Sequence, residues 1–137
     1  NKTKKQYYHL NEENSIDKIE YYDNKIWIEN SARGDYWICP LFFYDLEHHK
    51  LVQVTQKDGC FSVHQQTLFV WVFTFHSDEK TSKDWIGMYQ QNDDIRKIWE
   101  YPDHIHVTSV FCIDDSHYGV LCNKKEIHIV DSHQNYI

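Results

Sequence analysis

Glycine and proline are scarce, four and two of 137 residues, which excludes a collagenous or low-complexity chain. The glycines (Gly34, Gly59, Gly87, Gly119) stand alone, so none belongs to a phosphate-cradling loop. The four cysteines (Cys39, Cys60, Cys112, Cys122) lie far apart with no CxxC pair, which removes the zinc-ribbon and dithiol redox motifs and leaves buried free thiols as the simplest reading. No apolar run approaches the ~20 residues that a membrane-spanning helix needs; the longest, Leu68 to Phe75, has the length of a strand. Positive charge is in deficit as well. Fourteen Lys and Arg against 21 Asp and Glu leave a net charge of -7 and a pI near 5.7, so the chain repels phosphate backbones and direct nucleic-acid binding is not expected. The chain starts Asn1-Lys2-Thr3-Lys4-Lys5 with neither an initiating Met nor an apolar targeting stretch, as expected of a processed or excised piece of something longer.

What is present is apolar and aromatic: 41% hydrophobic and 16% aromatic residues are enough to fill the core of one domain spanning residues 1 to 137. Periodicity points to strands. Lys25-Ile-Trp-Ile-Glu29, Leu51-Val-Gln-Val-Thr55 and Glu126-Ile-His-Ile-Val130 alternate, and Leu68-Phe-Val-Trp-Val-Phe-Thr-Phe75 is β-branched and aromatic. The nearest thing to a helical stripe is Ile95, Ile98 and Trp99, but it is short and stops at Tyr101-Pro102, so it reads as a turn running into a strand. Asp58-Gly59 reads as a turn. The expected core is Ile26, Ile28, Val52, Val54, Val70, Val72, Ile86, Ile98, Val110, Val120, Ile127 and Ile129.

Three segments can be laid over one another as strand, polar turn, strand: Ile16 to Ile28, Cys60 to Val72 and Val107 to Leu121. A third strand follows each (Trp37 to Tyr44, Trp85 to Gln90, Glu126 to Val130), and a fourth follows the first two (Lys50 to Thr55, Ile95 to Tyr101). The spacing of roughly 40 to 50 residues is that of four-stranded propeller blades. The polar turn, the aliphatic-Trp-aliphatic strand and the later aliphatic-Tyr-Asp step (Tyr44-Asp45, with Val130-Asp131 as a variant) resemble the blades of sensor-type regulatory propellers and of WD-repeat proteins. The Gly-His and Trp-Asp dipeptides of WD repeats are absent, and three units are fewer than an ordinary closed ring holds. The resemblance implies an all-β, antiparallel fold of propeller-like four-stranded units, as a pair of chains or as part of a larger propeller; a β-sandwich or curved barrel is the alternative. The third unit lacks a fourth strand, so Lys5 to Leu10 is expected to pair with Glu126 to Val130 and cover its edge.

Candidate chemistry is sparse. His104 and His106, at i and i+2 on a strand, share a face and would supply two positions of a zinc site if Asp103 or a third His joined them, but solvated histidines are the simpler reading, so neither metal nor cofactor is expected. Asp114-Asp115-Ser116-His117 holds the residue types of a hydrolase, yet neighbours in a turn point apart and form no triad. Asp93-Asp94 is a solvated acidic pair. Arg33-Gly34-Asp35 reads as a loop. Five Trp and ten Tyr exceed the needs of a small core, and adjacent aromatics on strands (Tyr7-Tyr8, Tyr21-Tyr22, Tyr36-Trp37, and Trp99 with Tyr101) turn some rings outward, where Tyr and Trp carry binding energy.

The reading is therefore noncatalytic binding: a small acidic protein-binding module of the inhibitor or immunity type that masks a basic protein partner, with Asp93, Asp94, Trp99, Tyr101, Tyr36 and Trp37 as the binding residues. The alternative is a fragment of a propeller sensor or scaffold recognising a small ligand or carbohydrate, and a homodimer is one way to close the ring. A Cys112 to Cys122 bridge would mark export, and four free thiols the cytosol.

Overall fold

The computed structural model describes residues 14–32, 39–73, 83–90, 94–102, 105–114, 116–131 and 135–136. Every regular element among them is a strand: β1 (Asn14–Tyr22), β2 (Lys25–Ala32), β3 (Pro40–Asp45), β4 (Lys50–His64), β5 (Thr67–Phe73), β6 (Trp85–Gln90), β7 (Asp94–Glu100), β8 (Val107–Cys112), β9 (His117–Cys122), β10 (Glu126–Asp131) and β11 (Asn135–Tyr136). The fold is all-β and antiparallel. β1 to β7 form one meander in chain order, and β8 to β11 form a second sheet. Local chemistry sets the turns. Asp23 and Asn24, at φ 52° and 56°, make the two-residue link between β1 and β2, a left-handed pair that Asp and Asn tolerate. Asn123 and Lys124 take the same conformation between β9 and β10.

The seven-stranded sheet is folded over on itself. Trp27 of β2 and Tyr89 of β6 are four strands apart in the ladder, about 19 Å on a flat sheet at roughly 4.8 Å per strand, yet their rings meet at 5.1 Å. The fold-over occurs within β4. Its first residues pair with β3, its last with β5, and the β3 partner jumps from Gln53 to Asp58. Thr55, buried at the crossing, replaces the missing ladder bonds: its Oγ1 accepts from Leu41 N at 2.9 Å and donates to Lys57 O at 2.7 Å. Asp58-Gly59 is consequently not a turn. Both residues are buried inside β4, the Asp58 carboxylate accepts from Cys39 N, and Gly59 is small because an added Cβ would lie 2.6 Å from Thr55 Oγ1.

Three layers result, with four strands apiece when β4 is divided. Between the first and second lies a core of Trp27, Leu41, Phe43, Phe61, Leu68, Val70 and Tyr89. Between the second and third lies a core in which Phe69, Trp71, Ile86 and Ile98 meet Val110, Tyr118, Val120 and Val130. The middle layer is covered on both faces, which is why β5 reads as an unbroken apolar run: Leu68 and Val70 face one core, Phe69 and Trp71 the other. Ile95 and Ile98, three residues apart, are divided between the same two cores, so their helix-like spacing is satisfied by a strand.

The expected core holds for Ile28, Val70, Val72, Ile86, Ile98, Val110 and Val120, whereas Ile26, Val52 and Val54 are half-buried. Ile127 and Ile129 are a correction. They are 62% and 38% exposed, because β10 belongs to an end layer and turns Val130 and His128 inward. At the end of β10, β11 pairs with Val130 and Asp131; the segment Lys5 to Leu10, expected to pair with Glu126 to Val130, lies outside the described residues. All four cysteines are free thiols, Cys122 buried and the others half-buried.

Candidate functional site

Each hairpin turn lies at one end of its layer, and contacts place several turns together. Tyr22 OH donates to Gln66 O, Tyr89 OH donates to Asp23 Oδ2 at 2.8 Å, and Leu46 N donates to Asn24 O at 3.2 Å. The turn between β4 and β5 (Gln65, Gln66) stands between two clefts at this end. The first, about 380 Å³, is lined by Tyr22, Asp23, Gln65, Gln66 and Tyr89. The second, about 410 Å³, runs between the middle and third layers and is lined by His64, Gln65, Gln66, Thr67, Phe69, Met88, Cys112, Asp114, Ser116, His117 and Tyr118.

Charge is divided along the strand axis. At the two-cleft end the described charged residues are Asp23, Asp45, Glu47, Asp94, Asp114 and Asp131 against Lys25, Lys50 and Arg96, and Lys25 is itself buried. At the opposite end Lys57, Lys83, Lys97, Lys124 and Lys125 gather with Asp58, Asp84, Glu100 and Glu126. Asp58 and Asp84 are buried there and serve the backbone: Asp84 Oδ2 accepts from Val107 N at 2.8 Å and joins the second layer to the third. Among the described residues the two-cleft end thus carries six acids against three bases and the opposite end four acids against five bases.

Two of the acids at that end are held ionised by their own turns. Hydrogen bonds from the His48 side chain and from the backbone of His48 and Glu47 lower Asp45 to about 2. Backbone N–H groups of Ser116 and His117, together with the His117 ring, lower Asp114 to about 2. Burial, with the hydrogen bond to Asp23, pushes Tyr89 up to about 12. Burial likewise raises the Tyr118 hydroxyl and the Cys60 and Cys122 thiols, which makes the thiols poor nucleophiles.

Ser116, His117 and Asp114 do meet, but not as a catalytic relay. Ser116 Oγ at 3.3 Å and Asp114 Oδ1 at 2.9 Å both contact the same ring nitrogen, His117 Nδ1. A relay needs the hydroxyl on one nitrogen and the carboxylate on the other; here the far nitrogen, Nε2, faces Asp131 at 3.9 Å. The arrangement is an Asp-capped turn.

The residues expected to bind do not form one surface. Asp94 is exposed at the acidic end, at the start of β7. Trp99 is half-buried against the core between the second and third layers, and Tyr101, 1% exposed, belongs to that core. Tyr101 is therefore a packing residue, its ring 6.3 Å from that of Trp99. Asp93, Tyr36, Trp37 and His104 lie outside the described residues. His106 is exposed with Nδ1 3.6 Å from Asp84 Oδ2, and no group of three potential metal ligands occurs among the described residues. Sequence reasoning noted Tyr22 only as one of an adjacent aromatic pair and passed over Asp23, Tyr89 and Tyr118. The Asp23-Asn24 turn was a local signal for the first cleft, whereas the second joins turns some 50 residues apart and left no local signal.

Compared with known proteins, the chain matches no family model, no curated protein and no solved structure.

Proposed function

We propose that the chain is a noncatalytic protein-binding module whose acidic, two-cleft end receives a basic protein partner. The separation of charge along the strand axis carries this reading: a carboxylate-rich end flanked by clefts attracts cations and steers their approach, and repels anionic competitors. The partner's Lys and Arg side chains would face Asp23, Asp94 and Asp114, with the tyrosines of the clefts supplying contact area. Calorimetric titration with an Arg-rich peptide and with its Glu-substituted counterpart tests it. Binding of the first alone, weakening as salt rises from about 50 to 300 mM, is the supporting result; equal binding of both peptides, or salt-independent binding, removes the reading.

A second reading, a piece of a layered propeller-type scaffold, is favoured by a different observation. Among the described residues, the exposed large apolar side chains of the strands (Ile16, Ile19 and Tyr21 of β1; Phe111 of β8; Ile127 and Ile129 of β10) lie on the outward faces of the two end layers. Such faces are what the chain buries twice in its own interior, and the occupant that fits is a second copy, with its first layer seated on the third layer of its neighbour. Light scattering separates the readings: a dimer abolished by Ile127→Lys supports the layered assembly, and a monomer at high concentration counts against it.

A further inference from the structure

The acidic end is also rich in imidazoles. Of the six histidines among the described residues, four stand there: His48 and His49 in the turn between β3 and β4, His64 at the end of β4, and His117 at the start of β9. Two of them touch the acids of that end. His48 Nδ1 lies 2.9 Å from Asp45 Oδ2. His117 reaches two carboxylates, with Nδ1 2.9 Å from Asp114 Oδ1 and Nε2 3.9 Å from Asp131 Oδ2. His49 and His64 are exposed, and His64 shares the second cleft with His117 and Asp114. The other charged groups around His117 are His64 of β4 and Arg96 of β7, whose Nη2 is 4.0 Å from Met88 Sδ at the cleft wall. Around His48 they are Glu47 and His49 of its own turn, with Lys25 of β2 and Lys50 of β4 opposite Asp45 in register; Asp23 lies 3.9 Å beyond, on Lys25.

We propose that these four histidines make the acidic end release its basic partner on acidification from about pH 7.5 to about pH 5.5. The inference rests on the acidic-end reading and adds its regulation. With neutral rings the end carries six acids against three bases, a net charge of -3, and four added protons reverse it to +1. The carboxylates do not follow. They ordinarily titrate near pH 4, and Asp45 and Asp114 are held at about 2, so in this interval the change of charge belongs to imidazole. A protonated ring is a cation that the chain supplies itself. On Asp114 it offsets the exposed carboxylate that a partner's Lys or Arg would use, and at His49 and His64 it repels that partner directly. The opposite end offers no substitute, because His106 and His128 join a surface where bases already outnumber acids among the described residues.

The test is calorimetric titration of the full chain, at fixed ionic strength, with an end-capped Arg-rich peptide free of His, Asp and Glu, whose own charge is constant over the interval. The quantity read is the ratio of affinities at about pH 7.5 and about pH 5.5 within each chain. The parent is expected to bind about tenfold more weakly at the lower pH, the effect of a few screened contacts turned repulsive. A chain with His48→Gln, His49→Gln, His64→Gln and His117→Gln should show a ratio of about twofold or less, and His106→Gln at the opposite end should keep the parent's ratio. A second measurement needs no substitution. Linkage is reciprocal, so in NMR the ring signals of His48, His49, His64 and His117 should protonate at lower pH with peptide bound than without, and those of His106 should not move. An affinity independent of pH overturns the proposal and leaves the acidic-end reading standing. A parent-sized ratio in the four-Gln chain, or ring titrations that ignore the peptide, overturns it in the same way; absence of peptide binding at both pH values removes both.

Discussion

Replacing Gly59 by Ala, an ordinary and mild change, should be among the most damaging single-atom additions to this chain. The new Cβ falls 2.6 Å from Thr55 Oγ1 and 3.0 Å from Leu41 Cβ. Neither neighbour can yield. Thr55 Oγ1 is tied to Leu41 N and Lys57 O, and Leu41 is fully buried between the first two layers. Overpacking of this kind costs about 1–3 kcal/mol, and a broken Thr55 bond that leaves the Leu41 N–H unpaired adds about 1–3 kcal/mol more, so a loss of about 3 kcal/mol is expected. At about 3–4 °C per kcal/mol for a chain of this length, the melting temperature should fall by about 10 °C. Gly119→Ala is the matched control. Its Cβ would lie 2.1 Å from Phe111 Cζ, a nominally worse clash, but the Phe111 ring is 40% exposed and can swing into solvent, so a loss of about 1 kcal/mol or less is expected. Urea unfolding followed by tryptophan fluorescence measures both. If Gly119→Ala costs more than Gly59→Ala, the account of β4 as the rigid crossing between layers is wrong.

Three further outcomes follow from the same geometry. Asp45 and Asp114 are held at about 2 in the folded chain, below their unfolded value, so the unfolded state takes up protons first; their stabilisation is complete above the ordinary carboxylate range and is lost as pH falls toward 2, and Asp45→Asn with Asp114→Asn should flatten that acid limb in thermal melts between pH 5 and pH 2. Tyr89 should ionise near pH 12 in an ultraviolet absorbance titration, a step that Tyr89→Phe removes. Val130→Ala should cost about 2 kcal/mol, whereas Ile127→Ala on the same strand should change the stability of the monomer by about 0.5 kcal/mol or less, which chemical unfolding of the pair decides.

The class of fold was legible because alternation is written locally: β2, β4, β5 and β10 were each visible as runs of period two or as β-branched stretches. What sequence could not reveal was which face of an alternating strand is inside. In β10 the pattern Glu-Ile-His-Ile-Val invites burial of the two isoleucines, yet Val130 fills the core and Ile127 faces out, because the end layer has a neighbour on one side only. Asp58-Gly59 misled for a related reason: the pair that marks a turn elsewhere marks here a close approach of Thr55 and Leu41, which long-range pairing alone creates. The site was the least legible. The acids were counted correctly, but their gathering at one end depends on how the turns of three layers stack, and Tyr101 was taken for a surface ring because nothing in its own segment records that β8 to β10 cover it.

The most direct test of the acidic-end reading compares two charge-neutralised chains in binding an Arg-rich peptide. One carries Asp23→Asn and Asp94→Asn at the two-cleft end, and the other Lys57→Gln and Lys97→Gln at the opposite end. Titration calorimetry across a salt series reads affinity and its ionic-strength dependence together. The account predicts that the first chain loses about tenfold in affinity with a shallower salt slope, and that the second binds as the parent does or slightly tighter. Equal losses in both chains, or a loss in the second alone, would contradict it.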